Sequence, residues 1–150
     1  MSRILVLGAT GRAGSAILTE LPTDAEVVAA IRTPADTQRL PATRASVQTA
    51  IVDLNDLDTL RSAARGADVI VNAIRLRDDI SPDALVHLHD ILRTAAPDAL
   101  IVTAGGAGSL HLPNGTRFWQ HPSFPAQTLP RGIAHARLRD HLESGADGDR

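Results

Sequence analysis

The sequence has no cysteine and no tyrosine, and its 15 basic residues are all arginine, so lysine is absent as well. Without cysteine there is no disulfide and no thiol chemistry, a composition compatible with a reducing cytoplasm. Without tyrosine and lysine, no mechanism that needs a phenol or a side-chain amine runs within this chain. Aromatics are scarce: Phe118, Trp119 and Phe124 are the whole set. That argues against the stacking platform of a nucleic-acid binder. Charge of one sign is also missing, with a formal net charge of -2, so no nucleic-acid or membrane partner is expected. No apolar run approaches the about 20 residues of a membrane span. The apolar pattern begins at Ile4, so no signal peptide is expected and the expected location is cytoplasmic.

What is present is ordinary for a globular chain: 150 residues, 43% hydrophobic and 21% charged. That is enough for one domain with a real core. We assign residues 1–143 to that domain and 144–150 (SGADGDR) to a flexible tail. Short apolar runs alternate with helical patterns. Strands are expected at Arg3–Leu7, Glu26–Ile31, Ser46–Val52, Ala67–Ala73 and Ala99–Thr103. Between them lie a helix Arg12–Leu21, with Ala13, Ile17 and Leu21 inward, and a short helix Pro34–Leu40. A further helix, Asn55–Arg65, would be capped by Asn55 and closed by Gly66. Another starts at Ser81-Pro82 and runs to about Ala95, with Leu85, Leu88 and Leu92 on one face. Such alternation predicts an α/β, Rossmann-like, doubly wound parallel sheet of order 3-2-1-4-5, its strands covered on both sides. The stretch Gly105–Pro130 reads as one long loop, followed by a last helix, Arg131–Leu142, with Ile133, Ala134, Leu138 and Leu142 inward.

The first strand runs into Gly8-Ala9-Thr10-Gly11-Arg12-Ala13-Gly14. The first glycine suits a sharp turn off the strand, the second lets a diphosphate approach the backbone, and the third lets the helix pack on the sheet. Amides at the helix start, with the helix dipole behind them, face the phosphates. This placement after a strand and before a helix makes the triplet a dinucleotide-binding signal. At the end of the second strand a NAD site carries an acid for the ribose hydroxyls. Here the residues are Ile31-Arg32-Thr33. A guanidinium suits a 2′-phosphate, with Arg12 beside it, so NADP is expected over NAD. Strand-end topology adds Asp53 and Leu54 near the adenine, Asn72 and Ala73 by the ribose or nicotinamide, and Thr103 and Gly105 near the nicotinamide. For Asp53 a helix cap beside Asn55 is an equal reading.

The segments ILVLGATGRAGSAI, VVAAIRTP, VDLNDLDTL, ADVIVNAI and LIVTAGGAGSL span residues 4 to 110. Together they resemble the atypical short-chain dehydrogenase/reductases, specifically the NmrA-like NAD(P)H-binding branch that includes biliverdin-IX-beta-reductase-like proteins. The resemblance implies a Rossmann fold, NADP(H) binding and, in some members, reduction of small carbonyl or flavin-like substrates; other members act as regulators. The Tyr-x-x-x-Lys pair of standard short-chain dehydrogenases is absent, so another proton donor or water is required. Ser109 and His135 are the catalytic candidates, with His111 as a third. Members of the family continue beyond the position where this sequence stops, which would leave the fifth strand as an apolar edge. Either a homo-oligomer, a partner chain or the long loop would then cover it, or the protein is a truncated member with impaired chemistry.

Two functions follow. One is an NADP(H)-dependent oxidoreductase moving hydride to a small carbonyl or quinone-like substrate. The other is a non-catalytic NADP(H)-sensing regulator or subunit; an epimerase that uses bound cofactor ranks third because it also wants the tyrosine. No metal is expected, since His87 and His89, two apart on a helix, face different ways. Asp78-Asp79 reads as charge favoured ahead of a helix rather than as an acid–base pair. Phe118, Trp119 and Phe124 form either a lid over the substrate or an anchor for the loop.

Overall fold

A computed structural model describes residues 1–77 and 80–146. The Asp78-Asp79 pair and residues 147–150 lie outside the described residues. The chain forms two compact units, Met1–Arg75 with Ile91–Ala104, and Leu76–Asp90 with Gly105–Arg150.

The first unit holds a five-stranded sheet in the order β3-β2-β1-β4-β5. Its strands are β1 (Arg3–Leu7), β2 (Glu26–Ile31), β3 (Val47–Ile51), β4 (Val69–Asn72) and β5 (Leu100–Thr103), and every pairing is parallel. The expected order is the observed one, with ends trimmed by a residue or two where ladder bonding stops. Central β1 and β2 are buried along nearly their whole length, as strands covered on both faces must be. The edges depart from that expectation. β3 is half exposed, and on β5 Leu100 and Val102 keep 58% and 47% of their surface in contact with solvent. Residues two apart share a face, so β5 shows a half-exposed apolar face.

Helix α1 (Arg12–Glu20) buries Gly14 and Leu18. The expected inward stripe is corrected here: Ala13 is exposed, while Ile17 and Leu21 only flank the core of Ile4, Val6, Leu18, Val27 and Ala29. Close approach of the helix to its own leading loop at Gly14 sets its rotation. Leu21 is extended (ψ 146°) rather than helical, because Pro22 disfavours the α region for the residue before it. Helix α2 (Leu57–Ala64) is capped by Asp56, whose carboxylate accepts from the Asp58 amide at 3.3 Å, and not by Asn55. It ends just before Gly66, which takes the left-handed φ of +74° expected after a helix C-terminus. Helix α3 (Ala84–Ala95) runs from the second unit into the first. Its Leu85, Leu88 and Leu92 are buried as expected.

In the second unit the expected long loop is instead ordered by three short 3-10 turns, Ala107–Ser109, Phe118–Gln120 and Ala126–Thr128, and by a bridge between His111 and Arg117. Helix α4 begins earlier than expected and spans Leu129–His141, with a wider turn over Leu142–Ala146. It buries Gly132, Ala134, Ala136 and Leu138, whereas Ile133 and Leu142 are half-buried. The small residues face inward because the backbone of Gly108 lies against Gly132, where a Cβ on Gly108 would meet Gly132 Cα at 2.4 Å. The second unit's charges are tied together. Buried Arg117 donates to the Ser109 carbonyl at 2.6 Å and pairs with Asp140 and Glu143. Hydrogen bonding from Arg139 holds the Glu143 carboxyl below its ordinary range.

Candidate functional site

The strand order reverses direction between β1 and β4, the switch point where ligands of open α/β sheets bind. Three facing residues close the ladders there: Leu7 pairs with Asn72, and Asn72 with Thr103. The chain then leaves the sheet at Gly8, Ala73 and Ala104.

Each glycine of the loop has its own physical reason. Gly8 sits at φ +74°, and a Cβ on it would lie 2.4 Å from the Ala73 carbonyl oxygen. Only glycine fits so close to the backbone beyond β4. At Gly14 a Cβ would lie 2.0 Å from the Gly8 carbonyl oxygen. Gly11 differs: a Cβ would touch only the Gly8 carbonyl, at 3.2 Å, and otherwise project into open space. Packing therefore requires Gly8 and Gly14, while at Gly11 the missing side chain leaves a cradle.

Gly11 caps α1 without a side-chain hydrogen bond, and the first turn carries no acid. The amides of Arg12, Ala13 and Gly14 are thus open to an outside acceptor, at the positive end of the helix. Thr10 is half-buried at the turn, and the side chains of Arg12 and Ala13 are exposed. Arg32 is exposed one residue past β2. Neither Arg12 nor Arg32 has a carboxylate partner among the described residues. The nearest acid after Arg32 in the chain is committed elsewhere: Asp36 accepts from the Thr33 amide at 3.1 Å and pairs with Arg39 at 3.3 Å. The Thr33 amide bond, more than Arg39, holds that carboxyl below its ordinary range.

Asp53 Oδ1 accepts from the Asn55 amide at 2.9 Å, which closes a turn ahead of α2, while the helix itself is capped by Asp56. Leu54 beside it is an exposed apolar side chain, suited to lie under a base. Asn72 is 1% exposed. Its Oδ1 accepts from Ile74 N at 3.2 Å, whereas Nδ2 has no partner among the described residues. A buried amide with an idle donor is costly in isolation.

A diphosphate-bearing dinucleotide fits this donor set. It has open amides and a cradle at Gly11, two unpaired guanidiniums, and no acid at the end of β2. Thr103 stands half-buried at the end of β5.

The second unit carries a cavity of about 550 Å³. Its walls include Gly105, Gly106, Phe118, Phe124, Arg131 and His135. The Phe118 and Phe124 rings meet edge to face at 5.1 Å, so these aromatics form a wall. Trp119 adjoins Gly132, another lining residue, its Cβ 3.3 Å from where a Cβ on Gly132 would lie. His135 is set against the glycines: a Cβ on Gly106 would lie 2.6 Å from its ring. Burial, and after it the nearby Arg131, pushes the His135 imidazole below its usual value, which favours the neutral ring.

Ser109 is placed differently. It is buried, its hydroxyl donates to the Gly106 carbonyl at 2.8 Å, and it is not among the cavity-lining residues. His111 is exposed and does not line the cavity either. Sequence reasoning missed Arg131 and Thr128 as residues lining the same cavity as His135; spacing of four along a helix was the available signal for Arg131. His87 is exposed and His89 buried.

A family model described as NAD(P)H-binding matches residues 8–146. Similar solved structures include a Burkholderia pseudomallei protein assigned as exported, at 25% identity and TM-score 0.73, covering 98% of this chain and 68% of that one. A Streptococcus pneumoniae protein assigned as an NADH-flavin reductase is 24% identical at TM-score 0.71, covering 98% and 68%. A Lactobacillus casei protein is 28% identical at TM-score 0.66, covering 97% and 69%. No curated protein matches the chain.

Proposed function

The chain belongs to the NAD(P)H-binding family, and on that premise we propose that it is an NADP(H)-dependent oxidoreductase acting on a small carbonyl or quinone-like substrate. The observation that carries the reading is the open Gly11 cradle at an uncapped helix start. Arg32 and Arg12 support NADP over NAD, because a 2′-phosphate answers an unpaired guanidinium and no acid stands ready for the ribose hydroxyls. The idle Asn72 Nδ2 is a donor for the bound cofactor. Gly8, Thr10, Ala13 and Gly14 shape the loop, and Asp53, Leu54, Ala73 and Thr103 complete the contacts.

When bound, the reduced nicotinamide supplies a hydride, one hydrogen with two electrons, which becomes the new C–H bond of a substrate carbonyl. The chain's own part is to position and to manage the proton. His135 can donate its ring N–H to the oxygen of a carbonyl held in the cavity of the second unit, the proton being replaced from water. The same neutral-imidazole role serves in other enzymes. Ser109 contributes by holding the Gly106 turn against which the His135 ring rests. A cytoplasmic location is in keeping with the lack of cysteine; no described helix is long and apolar enough to cross a membrane.

The test is titration with NADPH and NADH, followed by loss of NADPH absorbance with a panel of quinones and aldehydes. NADPH should bind more tightly than NADH, and Arg32→Ala should weaken NADPH selectively. Preference for NADH would refute the reading of Arg32. The missing tyrosine and lysine favour a second reading, an NADP(H)-sensing regulator, for which tight NADPH binding without turnover on any substrate is the signature. Solution mass tests whether a second copy or a partner covers the β5 edge.

A further inference from the structure

The cavity of the second unit contains a feature that carbonyl reduction alone does not require. Helix α4 carries three arginines, Arg131, Arg137 and Arg139. Arg137 pairs with Asp83 at 3.2 Å, and Arg139 with Glu143 at 2.7 Å. Arg131, the one that lines the cavity, has no carboxylate partner among the described residues. Among the described residues no Asp or Glu lines the cavity. His135, one turn further on, cannot offset the charge, since an imidazole is either neutral or cationic. The rest of the wall is apolar or weakly polar, with the Phe118–Phe124 pair presenting ring faces and edges. The cavity lies along the first two turns of α4, whose first turn carries no acid, so the helix dipole adds to the same sign. A half-buried cation beside aromatic rings is unanswered by this chain, and an anionic group on the ligand would answer it.

We propose that the cavity takes an anionic aromatic carbonyl or quinone, its carboxylate or sulfonate held by Arg131 and its ring against Phe118 and Phe124. This rests on the reading of the chain as a carbonyl or quinone reductase and names the substrate class within it. The charged end fixes the orientation of the ring, and His135 is left to meet the carbonyl.

Trp119 is the only tryptophan in the chain and its Cβ lies against Gly132, which lines the cavity, so its emission reports on binding without any cofactor. The probes are 4-nitrobenzoate and 4-nitrobenzamide, quenchers of nearly equal size that differ in charge. Saturable quenching is expected for both, with 4-nitrobenzoate bound about tenfold more tightly, the modest end of a charge-assisted contact. Arg131→Gln should abolish that difference while leaving the amide's affinity unchanged, which also shows that the variant is folded. Arg131→Lys should keep most of the preference, and Arg137→Gln all of it. Absence of saturable quenching by 4-nitrobenzoate, equal affinity for the two probes, or a preference that survives Arg131→Gln would overturn the proposal. The measurement contains no NADP(H), so a failure here is distinct from a failure to bind NADPH.

Discussion

Replacing Gly11 by alanine separates binding from folding. The Gly11 backbone (φ -78°, ψ 173°) is accessible to any residue. The new methyl would meet one atom, the Gly8 carbonyl oxygen, at 3.2 Å, a contact relieved by a shift of a few tenths of an ångström. Loss of glycine at a helix N-cap adds a modest term, so the stability cost is about 1 kcal/mol. The same methyl fills the cradle beside the open amides of Arg12 and Ala13. A diphosphate held off by one methyl loses at least one charge-assisted hydrogen bond, about 1.5–3 kcal/mol. That corresponds to roughly 10- to 100-fold in NADPH affinity. Gly14→Ala is the contrasting case. Its methyl would lie 2.0 Å from the Gly8 carbonyl oxygen and 2.7 Å from its carbon, so backbone must move. Overpacking of about 1–3 kcal/mol or more outweighs the about 1 kcal/mol gained from helix propensity. Urea denaturation with parallel NADPH titration reads both quantities. Gly11→Ala should lose affinity with its urea midpoint nearly intact, and Gly14→Ala should lose both. Wild-type affinity in Gly11→Ala, or equal destabilisation by the two substitutions, would refute the reasoning.

Three further outcomes follow from packing and charge. Leu18→Ala removes a fully buried side chain from the core between α1 and the sheet and should lower unfolding free energy by about 2–5 kcal/mol in urea titrations. Gly132→Ala would place a methyl 2.6 Å from Phe124 Cζ; the ring must move, so the Trp119 emission maximum should shift and 4-nitrobenzoate affinity should fall. His135 has its folded pKa lowered, chiefly by burial. It is therefore protonated more readily unfolded than folded, and its contribution is complete above the ordinary 6.5 and lost as pH falls below it. The stability difference between wild type and His135→Gln should accordingly shrink or reverse as pH drops from 7 to 5, and a difference flat with pH would contradict the burial of that ring.

The sheet was legible because β1, β2 and β4 are nearly pure apolar runs, and because the turn at Gly8 has only one residue type that can make it. Helix faces were less legible. On α1 and α4 Leu18, Ala134 and Leu138 are buried beside Gly14, Gly132 and Ala136; at Gly14 and Gly132 backbone lies against backbone, and a search for large apolar residues passes over such positions. The α2 cap moved from Asn55 to Asp56 because both are competent caps and only the bond to Asp58 decides. Gly105–Pro130 read as a loop because glycine and proline punctuate it. What orders it is long-range: Arg117 reaches Asp140 and Glu143, 23 and 26 residues away, and local sequence carries no trace of that. The cradle, Arg12 and Arg32 were visible as a motif, but the cavity around His135 was not, since its wall is gathered from three separate turns.

The most direct test of the central claim is an amide-resolved 15N–1H NMR titration of the protein with NADPH. If the start of α1 holds the diphosphate, the amides of Gly11, Arg12, Ala13 and Gly14 should show the largest saturable shifts, with a smaller set at Arg32 and Thr33. Saturable binding that leaves those amides unmoved would contradict the account.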